Sequence, residues 1–390
     1  MGFLTTYRYR AWLAASLMLL PWRGGLCQQI PRAEKHYQVG LSLEQAGKFK
    51  AAAEEFALAI DINPEYRDAY YHLGLSNFRG GETVGAIHAL MQLMQLEPNN
   101  NQPRLALAQI YSDLGFSNDA LALYIRAQQV DRTDPQICLR IGMIHFEQKI
   151  YPLAAQDFQD ALALDPNLTK ARQMLASVYA AQNDVTKAYQ QLRDAATQDP
   201  RSPDPPSELG TLYLKEGKLA EAEEEFHRAL ALQPGFLPAR VGLAKTYRLM
   251  GRLPQALEEA SRALRDSPES PDALLERGTI EKASGKADEA RADFTHFAKL
   301  EPDRAEGELA LGELDLDAHC DGAAVEHLKK CVALDPKQPD AYCDLGQVYQ
   351  GQGDTKQAED ALRHCLMLDP GRKSARDLLE KLPKPAPATP

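Results

Sequence analysis

Four of the six cysteines of this 390-residue chain, Cys320, Cys331, Cys343 and Cys365, lie toward its C-terminal end, with His319, His327 and His364 among them. Thiolate and imidazole are good zinc ligands, and His327 and Cys331 stand four residues apart, which places both on one face of a helix. The same cysteines could instead form a disulfide, with Cys331 and Cys343 the favoured pair, or fill small buried positions of a core. Two glycine-lysine segments, Gly278…Gly285-Lys286 and Gly210…Gly217-Lys218, look phosphate-binding. Their glycines are seven residues apart, however, where a P-loop needs five. No HExxH, no GxSxG and no convergent Ser/His/Asp set is present, so a metal- or thiol-dependent enzyme at the Cys/His cluster stands only as the alternative reading.

A period sets the elements that would position these residues. Proline recurs at 64, 98, 166, 200, 234, 268, 302, 336 and 370, a spacing of 34 or 68 residues. With proline as the thirty-second residue, ten units run without a gap from Ala33 to Arg372. Position 8 is always small, as in Gly40, Ala108 and Gly278, and position 20 is always alanine, from Ala52 to Ala358. Position 24 is usually large (Phe56, Leu90, Tyr124, Phe158, Phe226, Phe294), and position 27 is mostly small. Spacings of 4, 7 and 8 place these residues on single helix faces, small against large where two helices cross. Glycine at position 15 supplies a helix C-cap, and the proline stops the second helix. Each unit is therefore an antiparallel helix pair that must stack on its neighbours to bury its apolar stripe.

This pattern resembles the tetratricopeptide repeat over about 340 of the 390 residues. The resemblance implies an all-α, right-handed superhelical solenoid of ten helix-turn-helix repeats, of the type exported by bacteria, without enzymatic activity or cofactor. It also implies a concave groove lined by the first helices, chiefly at positions 2, 5, 6, 9, 12 and 13, that binds a protein or peptide. On those positions the candidate groove residues are Tyr37, Leu41, Tyr71, Leu75, Phe78, Arg79, Leu105, Gln109, Leu139, Arg140, Met143 and Phe146. Lys170 lies among them, and from the sixth unit onward the same positions turn acidic: Asp204, Glu208, Asp272, Glu276, Glu306, Glu313, Asp317, Asp340 and Asp344. The expectation is a two-part groove, with an apolar segment at one end and a basic stretch at the other. The carboxylate clamp of the family's co-chaperones is not matched, since Arg140 and Lys170 are isolated pieces of it. The position-6 asparagine ladder of its sugar-transferase relatives is replaced by Gln38, His72, Ala106, Arg140, Met174 and Glu208.

The formal net charge is −11, and a surface of that sign repels phosphate backbones, which argues against nucleic acid as the partner. No stretch reaches the length of a membrane span. Arg8 and Arg10 precede an apolar run, Ala11 to Leu20, and small residues Gly25 and Cys27 follow, the layout of a secretory signal over residues 1–27. Without its three arginines the remaining chain stands at −14. A lipid anchor at Cys27 is disfavoured by Leu26, since a small residue is wanted there.

The expected organisation continues with a short leader (28–32), repeats 1–5 (33–202), repeats 6–10 (203–372), a capping helix (373–381) and a disordered proline-rich tail (382–390). The four prolines from Pro200 to Pro206 should delay the next helix. Charged residues Arg277, Glu281 and Asp315 at core positions should make the eighth and ninth units the first to open. The function expected is a protein-binding scaffold in envelope assembly or secretion, located in the periplasm or outside the cell, with a holdase of many clients as a second binding reading.

Overall fold

The computed structural model describes residues 26–382, with side chains from residue 31. The expected secretory signal lies outside the described residues up to residue 25, as does the tail after Leu382; nothing is described of the Cys27 side chain. The described residues are helical throughout, with turns between the helices.

Contacts divide the chain into two compact units, Met1–Pro166 and Asn167–Pro390. The first holds α1 (Leu26–Gln45), α2 (Phe49–Ile62), α3 (Arg67–Arg79), α4 (Thr83–Leu96), α5 (Asn101–Asp113), α6 (Ser117–Val130), α7 (Pro135–Glu147) and α8 (Tyr151–Leu164). The second begins with α9 (Thr169–Ala181), α10 (Val185–Gln198), α11 (Asp204–Lys215), α12 (Leu219–Leu232), α13 (Leu237–Leu249), α14 (Leu253–Asp266) and α15 (Pro271–Ala283). It continues with α16 (Ala287–Leu300), α17 (Ala305–Asp317), α18 (Asp321–Leu334), α19 (Pro339–Gly351), α20 (Thr355–Leu368) and α21 (Lys373–Lys381). Odd-numbered helices are thus the first helices of the repeats and even-numbered ones the second. Residues 28–32, expected as a short leader, lie within α1. Helix α11 starts at the second position of its repeat, where α9 and α13 start at the first, because the prolines from Pro203 to Pro206 postpone its first turn.

The repeat is built as its pattern demands. All ten alanines at position 20 are fully buried. A Cβ added to Gly40, Gly142, Gly210 or Gly278 would stand 2.6–2.8 Å from a ring atom of Phe56, Phe158, Phe226 or Phe294. The glycine at position 8 therefore admits the large side chain at position 24 of its own repeat, and the two backbones close to packing distance. The turn between the paired helices takes positive φ at position 15 in every repeat, including Lys149, Asn183 and His319, where no glycine is present.

Among the described residues several neighbouring first helices touch, as α1 does α3, α11 does α13 and α13 does α15, and no second helices pack on one another to the same extent. First helices therefore form the inner layer of each stack. No helix among the described residues is long and apolar enough to cross a membrane.

Candidate protein-binding face

In the first unit the inner face is only partly free. Tyr37 is committed to an aromatic group with Phe56, Tyr66 and His72, with ring centroids 4.9–5.7 Å apart. Tyr71 and Phe78 are half-buried against the core of repeats 2–4. Leu41, Leu75 and Met143 are also half-buried. Arg79 reaches Glu44 at 3.4 Å and lies over the Phe49 ring, and Phe146 leans on Tyr151. Leu139 is only 5% exposed, so it is core and offers an occupant almost nothing.

Three of the candidates do converge. Leu105, Gln109 and Arg140 line a notch of about 330 Å3 with Tyr124, Asp134 and Ile137. The Tyr124 hydroxyl donates to Gln109 Oε1 at 3.4 Å, and the Gln109 amide donates to Asp113 at 2.7 Å. Arg140 is exposed at the mouth.

In the second unit six of the nine acids expected from the sequence are ion-paired, with four cations between them. Arg248 holds Glu276 at 2.6 Å, and Lys282 holds Glu313 at 2.8 Å and Asp317 at 3.3 Å. Arg304 bridges Asp272 and Glu306, each at 3.1 Å, and Arg372 holds Asp340 at 2.5 Å. The acidic half expected from the sequence is therefore in part paired and keeps an excess of acids. Bases at position 12 (Arg248, Lys282) and position 34 (Arg304, Arg372) stand beside the acids, and a reading of groove positions one at a time does not pair them. Among the described residues two acids at position 6 stay without a cation in hydrogen-bond contact. Burial, with the charge of Asp204 added, pushes the Glu208 carboxyl up to about 7 against the pull of Lys170. Burial, with Glu313 and Asp340 added, pushes Asp344 up to about 7.

A further opening on this face includes only Asp272 and Glu276 of the residues expected from the sequence. Helices α11, α13 and α15 leave a cavity of about 540 Å3 with Leu214, Leu237, Val241 and Leu275 in its floor and walls. Position 6 of α13 is Gly242, pressed so closely on the Phe226 ring that a Cβ would collide with it. The signal was present in the sequence, as a glycine where other repeats carry His72, Arg140 or Glu276, but it acquires meaning only beside the leucines of its neighbours.

The Cys/His cluster is not assembled as a reactive site. Cys343 and Cys365 are disulfide-bonded within the last repeat, with Cα atoms 5.3 Å apart, while Cys331 is free and fully buried. This corrects the expected Cys331–Cys343 pair. Positions 5 and 27 of one repeat face each other across its helix pair, and Cys331 occupies position 27 of the repeat before. Burial pushes the Cys331 thiol up to about 12, away from the thiolate that nucleophiles and metal ligands require. His327 turns to Glu308 at 2.6 Å rather than joining Cys331. Among the described residues no three His, Cys, Asp or Glu side chains gather as a metal site would need.

Tetratricopeptide repeat family models match residues 37–102, 105–169, 213–278 and 339–372, and a TPR repeat model matches 322–353, together well over half of the chain. The TPR repeat-containing protein YpiA of Bacillus subtilis is 26% identical over 156 residues, which are 38% of this chain and 35% of that protein. The peroxisomal targeting signal receptor of Pichia angusta is 24% identical over 195 residues, 39% of this chain and 34% of the receptor. The chain spans about a third of the length of these curated relatives. The crystal structure of yeast Tom70 shares the fold, with a TM-score of 0.50 at 14% identity over 89% of this chain and 94% of that one. By its ten helix pairs and these matches, the chain belongs to the tetratricopeptide repeat family.

Proposed function

We propose that this chain is a non-catalytic scaffold, exported from the cytoplasm, that holds a partner protein on the inner faces of its repeats during envelope assembly or secretion. The observation that carries the reading is the cavity on α11, α13 and α15, whose apolar floor opens on the layer of first helices. A half-exposed leucine, Leu249, stands at its edge. Desolvating such a floor favours an apolar segment of another chain. A curated relative named as a receptor for a targeting signal supports peptide recognition by such repeats. Export is supported by the basic and apolar pattern of residues 8–20 and by the Cys343–Cys365 disulfide, a bond that persists in oxidising compartments.

A photoreactive residue at position 249, on the inner face, and one at 367, where Met367 is 68% exposed on α20, test the proposal in the native cells. The scaffold reading expects discrete protein adducts from 249 and none from 367. No adduct at 249, or the same adducts at both, overturns it.

A further inference from the structure

We infer that the cavity on α11, α13 and α15 selects a partner segment in which aliphatic side chains flank a carboxylate, an acidic apolar peptide rather than a basic one. The inference rests on the scaffold reading above and specifies the partner's chemistry at that face.

The argument is a charge balance within one cavity. Five ionisable side chains line it: Lys215, Lys245, Asp272, Glu276 and Arg304. Both acids are already held, Asp272 by Arg304 at 3.1 Å and Glu276 by Arg248 at 2.6 Å, and Arg304 also engages Glu306. Lys215 and Lys245 are exposed and make no ion pair or hydrogen bond among the described residues. Counting Arg248 and Glu306 with the lining residues, four cations stand against three acids, so the cavity carries an excess of one positive charge, and the two ammonium groups without an ion pair supply it. The two acids at inner positions of α11, Asp204 and Glu208, do not line the cavity, and burial holds Glu208 near 7.

Between the lysines the floor is aliphatic, with Leu214, Val241 and Leu275, and Gly242 adds no side chain to it. An incoming cation would meet two unpaired lysines and only carboxylates already engaged by arginine. An incoming carboxylate would gain a charge-assisted contact while its aliphatic neighbours cover Leu214, Val241 and Leu275. The apolar floor supplies the attraction, and the lysines decide which sequences benefit from it.

The experiment is selection of random twelve-residue peptides on the immobilised full chain and on its Lys215→Glu/Lys245→Glu variant. Both substitutions are at exposed sites, and matching circular dichroism melts confirm that the variant folds. The wild-type chain is expected to enrich peptides carrying Asp or Glu between aliphatic residues. The variant should bind a synthetic, end-capped copy of such a peptide at least tenfold more weakly and should enrich Lys or Arg at the same place. Enrichment of basic peptides by the wild type, or affinity unchanged by the charge reversal, overturns the inference while leaving the scaffold reading intact. Failure of both chains to enrich any sequence overturns the inference, and with the loss of adducts at position 249 it takes the scaffold reading with it.

Discussion

Arg277 grips Asp293 through two guanidinium nitrogens, Nε to Oδ2 and Nη2 to Oδ1, each at 2.6 Å. Arg277 occupies position 7 of its repeat, where Leu175, Leu209 and Leu243 are core residues, and Asp293 is 5% exposed. A single change leaves one buried charge alone, so Arg277→Leu or Asp293→Leu should each cost about 2–4 kcal/mol, while the double change to leucine recovers most of it. A denaturation double-mutant cycle reads this, and additive losses would mean the two side chains are independent. Nearby, Glu281 and Asp315 each keep one buried oxygen without a hydrogen bond. The eighth and ninth repeats should therefore still be the earliest to exchange their amide hydrogens within the second unit. Slowest exchange there would refute that.

Stability should fall as pH rises from about 4 to about 7, with Glu208 and Asp344 as two named sources. Their ordinary values are 4.5 and 3.8, and burial holds both near 7 in the folded chain. Between those limits the folded form binds protons that the unfolded form has released, so each group's favourable term is complete below about 4 and lost once pH passes 7. For partly exposed groups the loss is about 2 kcal/mol each. Glu208→Gln and Asp344→Asn should flatten the slope and raise stability at pH 8. Urea midpoints measured from pH 4 to pH 8 check it, and an unchanged slope in the double variant would remove these carboxyls as the cause.

Reduction of Cys343–Cys365 should loosen the last repeat selectively. The bond closes a loop across 22 residues of separation, worth about 3 kcal/mol by chain entropy. Alanine replacements at both positions should behave like reduction, since position 27 is alanine in most repeats and the packing tolerates it. Thiol labelling of the native protein should modify exposed Cys320 and spare Cys331 and the bonded pair. Ready labelling of Cys343 without reductant would show the bond absent.

The repeat frame was legible because it is enforced ten times over: a buried alanine at position 20 and a turn at position 15 leave a period that no single substitution hides. The site was less legible because its chemistry depends on partners in other repeats. Asp272 reads as a free acid until Arg304, thirty-two residues on, is seen beside it, and Leu139 reads as a groove residue until its burial is known. His319 shows the same limit on a smaller scale. It takes the positive φ of 56° that the turn demands, although its residue type gives no sign of it.

Ser76 departs from the frame in a way that can be repaired. Position 10 carries Ile110, Ile144, Val178, Leu212, Ile280, Leu314 or Val348 in seven repeats; Ser42 of the first repeat is exposed, and the one threonine, Thr246, donates its hydroxyl to the Gly242 carbonyl at 2.8 Å. Ser76 is fully buried, its Oγ has no hydrogen-bond partner, and it lies in the lining of a cleft of about 430 Å3 on α2, α3 and α4. Two effects then act in one direction, an unsatisfied hydroxyl and missing aliphatic volume. Ser76→Val should stabilise the first unit by about 1 kcal/mol, and Ser76→Ala, which removes the hydroxyl without filling the space, by less. Amide exchange in α3 and α4 provides the readout. Faster exchange in the valine variant would mean that the hydroxyl is satisfied in solution, by a bound water or a partner's polar group, and that the cleft is kept polar for that occupant.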